Sequence, residues 1–78
     1  MIVNVGLKHI AGGFKSNPWS CPVALAIAES TNEPYVSVGP YRVKFSPYEL
    51  GQGLPDKVVN FIAEFDEGLP VTPFNFHI

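Results

Sequence analysis

Apolar and polar positions along the chain repeat with two different periods. Val58, Phe61, Ile62 and Phe65 are spaced i, i+3, i+4 and i+7, the buried stripe of an amphipathic helix. Pro55 opens this helix, where a missing N–H costs nothing because the first turn has no intrahelical acceptor for it. Asp56 lies at the positive end of the helix dipole, and Gly68 ends the helix in the C′ position. An earlier helix is predicted from Pro22. Val23 to Ala28 is a six-residue apolar run with no polar side, so this helix is expected to be nearly enclosed. Ser20 or Cys21 caps it; serine is the better cap by type, while Pro22 at the first helical position favours Cys21. Ser30, Thr31 and Asn32 end it.

A period of two marks the strands. Residues 35–45 read as a hairpin with Gly39-Pro40 as its turn, so that Val38 faces Tyr41 and Val36 faces Val43. That register places Val36, Val38, Tyr41, Val43 and Phe45 inward, and Tyr35, Ser37, Arg42 and Lys44 outward. Ile2 to Val5 is a short strand, followed by one helical turn over Leu7 to Ala11. Residues 14–20, with Trp19, and residues 46–53 are predicted loops. Near the end, Thr72, Phe74, Phe76 and Ile78 alternate with Pro73, Asn75 and His77. Pro73 cannot donate to a ladder, which puts it at an edge, a strand start or a bulge. The predicted order is β-α-β-β-α-β in a single domain of residues 1–78. This is an α+β fold, with a small antiparallel or mixed sheet of about four strands packed on one face by two helices. The order resembles a ferredoxin-like split unit.

Composition narrows the function classes. The chain has 78 residues, 46% hydrophobic and 15% charged, which excludes a disordered polyampholyte, a coiled coil and a collagen-like repeat. A domain this small buries only about 60% of its unfolded surface, and the lone Cys21 cannot form an internal bridge. Stability is therefore expected from dense packing or from self-association, with a homodimer as the simplest form. A single cysteine suits a reducing compartment, and Met1 to Val5 carries no basic leader, so a cytoplasmic protein is expected. The longest apolar run is six residues, against the roughly 20 a membrane span requires. A net charge of −2 disfavours a general nucleic-acid binder.

Two stretches carry a likeness: Cys21-Pro22-Val23-Ala24-Leu25-Ala26, and Phe65-Asp66-Glu67-Gly68 through Val71, Pro73, Phe74 and Phe76. With Leu54-Pro55 opening the later helix, they resemble small bacteriophage-encoded proteins in which a Cys-Pro-apolar helix precedes a hairpin and an FD-x-G-x-x-V-x-PF-x-F ending closes the chain. The resemblance implies a phage or prophage source, the host cytoplasm as location and an accessory role. It brings no assigned chemistry.

Few residues offer chemistry. Cys21 lies at a helix start, where the dipole stabilises a thiolate, so a redox switch or thiol-dependent enzyme is one reading; a small apolar residue wedged under Trp19 is the plainer one. A nucleophilic pair would need His9 or His77 beside it. No C-x-x-C or H-x-x-x-H pair supports a metal site, and no cofactor or metal is expected. Glu64, Asp66 and Glu67 crowd the last turn of the later helix, opposing its dipole by roughly 0.3–1 kcal/mol each, and no Lys or Arg on that helix lies three or four residues away. Such placement marks a surface suited to a basic patch on a partner, with ordinary solvation as the plain alternative. Tyr35, Arg42 and Lys44 on the outer hairpin face combine an aromatic with two cations, a pattern able to stack bases and meet phosphates. Seven acidic residues in the chain weigh against that, and for a solvated or self-associating face. The leading reading is a non-enzymatic accessory protein that docks on a host or viral protein through Glu64, Asp66, Glu67, Tyr35, Arg42 and Lys44. The alternatives are a small nucleic-acid-binding module on the 35–45 hairpin and the thiol switch at Cys21.

Overall fold

The apolar run after Cys21 becomes the hub of the molecule. The computed structural model describes all residues from Met1 to Ile78. Along the chain it contains β1 (Ile2–Val5), α1 (Leu7–Gly12), α2 (Pro22–Thr31), β2 (Ser37–Val38), β3 (Arg42–Lys44), β4 (Gln52–Gly53), α3 (Asp56–Asp66) and β5 (Phe74–His77). The fold is α+β, as expected; the helical turn expected over Leu7 to Ala11 is present as α1, and a strand, β4, is added in the segment read as a loop.

α2 buries Pro22, Val23, Ala24, Ala26 and Ile27, and the alanines let β1, α1 and β2 come close to its backbone. Burial of Ile27, Val23 and the opposing Val3, Val5 and Phe76 is nearly complete. Each such side chain contributes roughly 1.5–3 kcal/mol relative to exposure. At the C-terminus of α2, Asn32 takes the left-handed conformation (φ 56°) and donates its N–H to the Ala28 carbonyl. α3 turns Val58, Phe61 and Ile62 into the same core, with Phe65 at its margin.

The strands form two sheets rather than one. β1 and β5 pair antiparallel in a two-stranded ribbon, Val3 opposite Phe76 and Val5 opposite Phe74. β2, β3 and β4 form a separate antiparallel sheet in that order. The reason is at the outer edge of β2, where the Val38 N–H donates to the Pro18 carbonyl at 2.8 Å. A loop therefore occupies the edge that a single sheet would have used for β1 or β5.

The hairpin register also differs from expectation. Gly39 N–H donates to the Arg42 carbonyl at 2.8 Å, so the turn residues are Pro40-Tyr41 and Val38 faces Val43 instead of Tyr41. Proline's fixed φ suits the first central turn position better than the second. The alternation of faces survives the slide: Val36, Val38 and Val43 are buried, Phe45 partly so, and Tyr41 is moved to the turn and left 68% exposed.

Candidate functional site

The end of α3 is where the chain departs most from helix-stabilising chemistry. Gly68 (φ 80°) follows the C-cap Glu67; its N–H bonds the Phe65 carbonyl at 3.0 Å, and the Leu69 N–H bonds the Glu64 carbonyl at 3.0 Å. This is a Schellman closure, which turns the chain sharply and leaves Glu64 and Glu67 exposed beside each other's turn. The cation missing from the helix itself comes from elsewhere in the chain. Lys15 Nζ lies 2.8 Å from where a Cβ on Gly68 would stand, against the negative end of the dipole. Asp66 is half-buried, and its Oδ1 accepts the Ser16 N–H at 2.8 Å.

Two grooves flank this end. One, of about 250 Å³, runs between α3 and the segment leading into β5; Phe61 and Phe74 form its floor, with Lys57, Glu64 and Thr72 at its rim. The Phe61 and Phe74 rings of the floor are 4.7 Å apart at a 41° tilt, and Phe65, outside the groove, stacks on Phe61 at 6.2 Å. The other groove, of about 240 Å³, has Asp66 and Ser16 on one wall and Gly39-Pro40 of the hairpin turn on the other, with Cys21 and Ile62 between. Glu64 and Asp66 thus look into different grooves, and the structure brings the acidic helix end against the hairpin turn.

Of the hairpin residues, Arg42 is exposed and its guanidinium donates to the Gly51 carbonyl at 3.2 Å, while Tyr35 and Lys44 are half-buried. Sequence reasoning missed the tip that follows. Tyr48 is 96% exposed and Leu50 86% exposed. The tip is held by the Tyr48 N–H to Ser46 Oγ and by the Phe45 N–H to the Glu49 carboxylate. Neither apolar residue belongs to a periodic stripe, and that absence was the available signal.

Cys21 is buried and caps α2, its sulfur accepting the Ala24 N–H at 3.4 Å. Burial pushes the thiol pKa up; the Ala24 and Val23 N–H groups act against that shift, and the nearby Asp66 carboxylate adds to it. Trp19, expected over this thiol, is instead exposed, and no imidazole bonds the sulfur. His9 is buried in α1: Nδ1 accepts the Gly6 N–H at 2.9 Å and Nε2 faces Glu29 Oε2 at 3.2 Å, which makes it a neutral ring protonated on Nε2. It supplies the reciprocal arm of a capping box from the third helical position. Glu29 is held below the usual carboxylate range by Lys8 at 3.0 Å and then by His9. His77 is exposed on β5. No three His, Cys, Asp or Glu side chains gather as a metal-holding group, and no helix is long and apolar enough to cross a membrane. Comparison with protein-family models, with curated proteins and with solved structures finds no match to this chain.

Proposed function

We propose that the chain is a non-enzymatic accessory protein, of the phage-encoded kind its two motifs resemble, that acts by docking on a host or viral protein. The observation that carries this reading is Glu64 at the rim of a groove floored by Phe61 and Phe74, with Glu67 exposed nearby. The groove's volume of about 250 Å³ is below the roughly 300–1,000 Å³ of small-molecule sites. It suits one apolar side chain of a partner, and Glu64, on a rim that also carries Lys57, suits a basic residue next to it. Charge-complementary docking of this type sets association rate and specificity as much as affinity. The buried thiol and the fully engaged His9 ring favour surface recognition over a reaction centre.

The test is capture from a bacterial lysate on the immobilised chain, with Glu64→Lys/Glu67→Lys and Arg42→Ala beside the wild type. A partner retained by the wild type and by Arg42→Ala, and lost from the double reversal, supports docking at the α3 end. An identical set of captured proteins on all three chains removes that surface from the reading.

A further inference from the structure

The β1–β5 ribbon leaves one strand edge open and undefended. Met1 and Ile78 exchange both backbone bonds, Ile78 N–H to the Met1 carbonyl at 2.9 Å and the Met1 ammonium to the Ile78 carbonyl at 3.3 Å. In an antiparallel ladder the bonded pairs alternate, so Val3 and Val5 also face β5 while the N–H and C=O groups of Ile2 and Asn4 point away from it. No strand pairs with that side of β1.

The other edges are blunted. Val38 on β2 is satisfied by Pro18. On β5 the outward series Asn75 and His77 runs back to Pro73, which has no N–H to offer. β4 is Gln52–Gly53, too short to template a strand. β1 has no proline, no glycine and no charged side chain, the devices that keep edges from pairing.

We propose that β1 pairs antiparallel with β1 of a second copy of this chain, about a twofold axis at Val3. This surface is separate from the α3 groove and does not rest on the docking reading. Centred there, Ile2 of each copy stands opposite Asn4 of the other, and each such pair exchanges both of its backbone bonds. The two ribbons become one sheet of order β5-β1-β1-β5, and neither edge group of Ile2 or Asn4 remains unpaired. A second copy is favoured over an unrelated strand by the side chains at the two ends of β1. Met1 and Ile2 before or at its start, and Leu7 just past its end, are each more than half exposed. Antiparallel self-pairing sets the start of one strand against the end of the other, so Met1 meets Val5 and approaches Leu7 of the copy. The arrangement is isologous and brings no like side-chain charges together within the strand pair.

Sedimentation of the full chain over about a hundredfold range of concentration tests this, because a dimer responds to mass action. The wild type is expected to move from 8.5 kDa toward twice that mass as concentration rises. A chain carrying N-methyl-Asn4, assembled by ligation at Ser20–Cys21, loses only an outward N–H and is expected to stay at 8.5 kDa with an unchanged circular-dichroism spectrum. Ile2→Lys, with a charge at the edge, is expected to do the same and serves if the N-methylated chain does not fold. Glu64→Lys/Glu67→Lys should associate like the wild type. A wild type that stays at 8.5 kDa overturns the proposal and leaves the edge to a strand of another protein. Association that persists in folded edge variants overturns it as well, because it places the contact elsewhere.

Discussion

Ser16 donates its backbone N–H to Asp66 Oδ1 at 2.8 Å, joining the loop before α2 to the last residue of α3. The bond holds Ser16 at φ 53°, a left-handed conformation that costs a residue with a Cβ roughly 1–2 kcal/mol. Asp66→Ala is therefore expected to destabilise by about 1 kcal/mol, in line with a partly solvated charge-assisted bond, which lowers the melting temperature by roughly 4–8 °C at this size. Glu64→Gln and Glu67→Gln, whose carboxylates oppose the dipole without such a bond, should be neutral or stabilise by up to about 0.5 kcal/mol. Ser16→Gly, which relieves the left-handed strain, should stabilise by up to about 1 kcal/mol. Thermal melts of the four variants separate Asp66 from its two neighbours.

Gly51 and Gly53 sit close together at the β3–β4 connection and should respond in opposite ways to alanine. Gly51 has φ 85°, and an added Cβ would come within 2.8 Å of the Val43 carbonyl oxygen. Gly51→Ala combines backbone strain of roughly 1–2 kcal/mol with displacement of a ladder carbonyl, so a loss of about 2 kcal/mol or more is expected. A Cβ on Gly53 meets nothing within 4 Å, and Gly53→Ala should leave stability unchanged or raise it by a few tenths of a kcal/mol, about what loss of unfolded-state freedom supplies. Urea midpoints at constant m-value read this contrast.

Local chemistry explains what was legible in the sequence, and non-local contact explains what was not. The α3 stripe, the enclosed α2, the Cys21 cap and the Gly68 stop all depend on residues within one or two turns of each other, and each is found in place. The inward face of the hairpin was readable because a slide of two residues preserves alternation, and only Tyr41, next to the turn, changed sides. The split into two sheets was not readable, because it follows from a bond between Pro18 and Val38 across α2. The same holds for Lys15 against Gly68 and Ser16 on Asp66, which supply from another loop the compensation that α3 lacks along its own length. β4 has two residues and no side-chain pattern of its own.

The Cys21 thiol should be slow to react in the folded chain and should label only as the chain opens. Its folded pKa is raised above the ordinary 9.0 by burial. A raised thiol pKa means that the unfolded chain deprotonates first on the alkaline side. The contribution of Cys21 to stability is thus complete below about pH 9.0 and falls as pH climbs toward the folded value. Urea unfolding at stepped alkaline pH should show this loss, and Cys21→Ala should remove that part of the pH dependence. Rapid labelling at neutral pH without unfolding would show that the thiol is open.

On the acid side the shifted group is Glu29. Lys8 and His9 hold Glu29 below its ordinary carboxylate pKa of 4.5, so its contribution is present above that value and is lost as pH falls through the lower folded one. His9→Ala leaves the Gly6 N–H without its acceptor and should cost roughly 1–3 kcal/mol, as for other buried groups deprived of a partner. Nitrogen chemical shifts of the His9 ring should report the proton on Nε2, with Nδ1 as acceptor.

The proposed docking through the α3 groove is tested most directly by a photo-crosslinking amino acid placed at position 64 in the producing cell, with a second chain labelled at position 33. Glu33 is exposed in the turn after α2 and serves as the comparison site. A discrete adduct with another protein from position 64, absent from position 33 and abolished by Glu67→Lys, is the predicted result. Adducts of equal yield from both positions, or none from position 64, would contradict it.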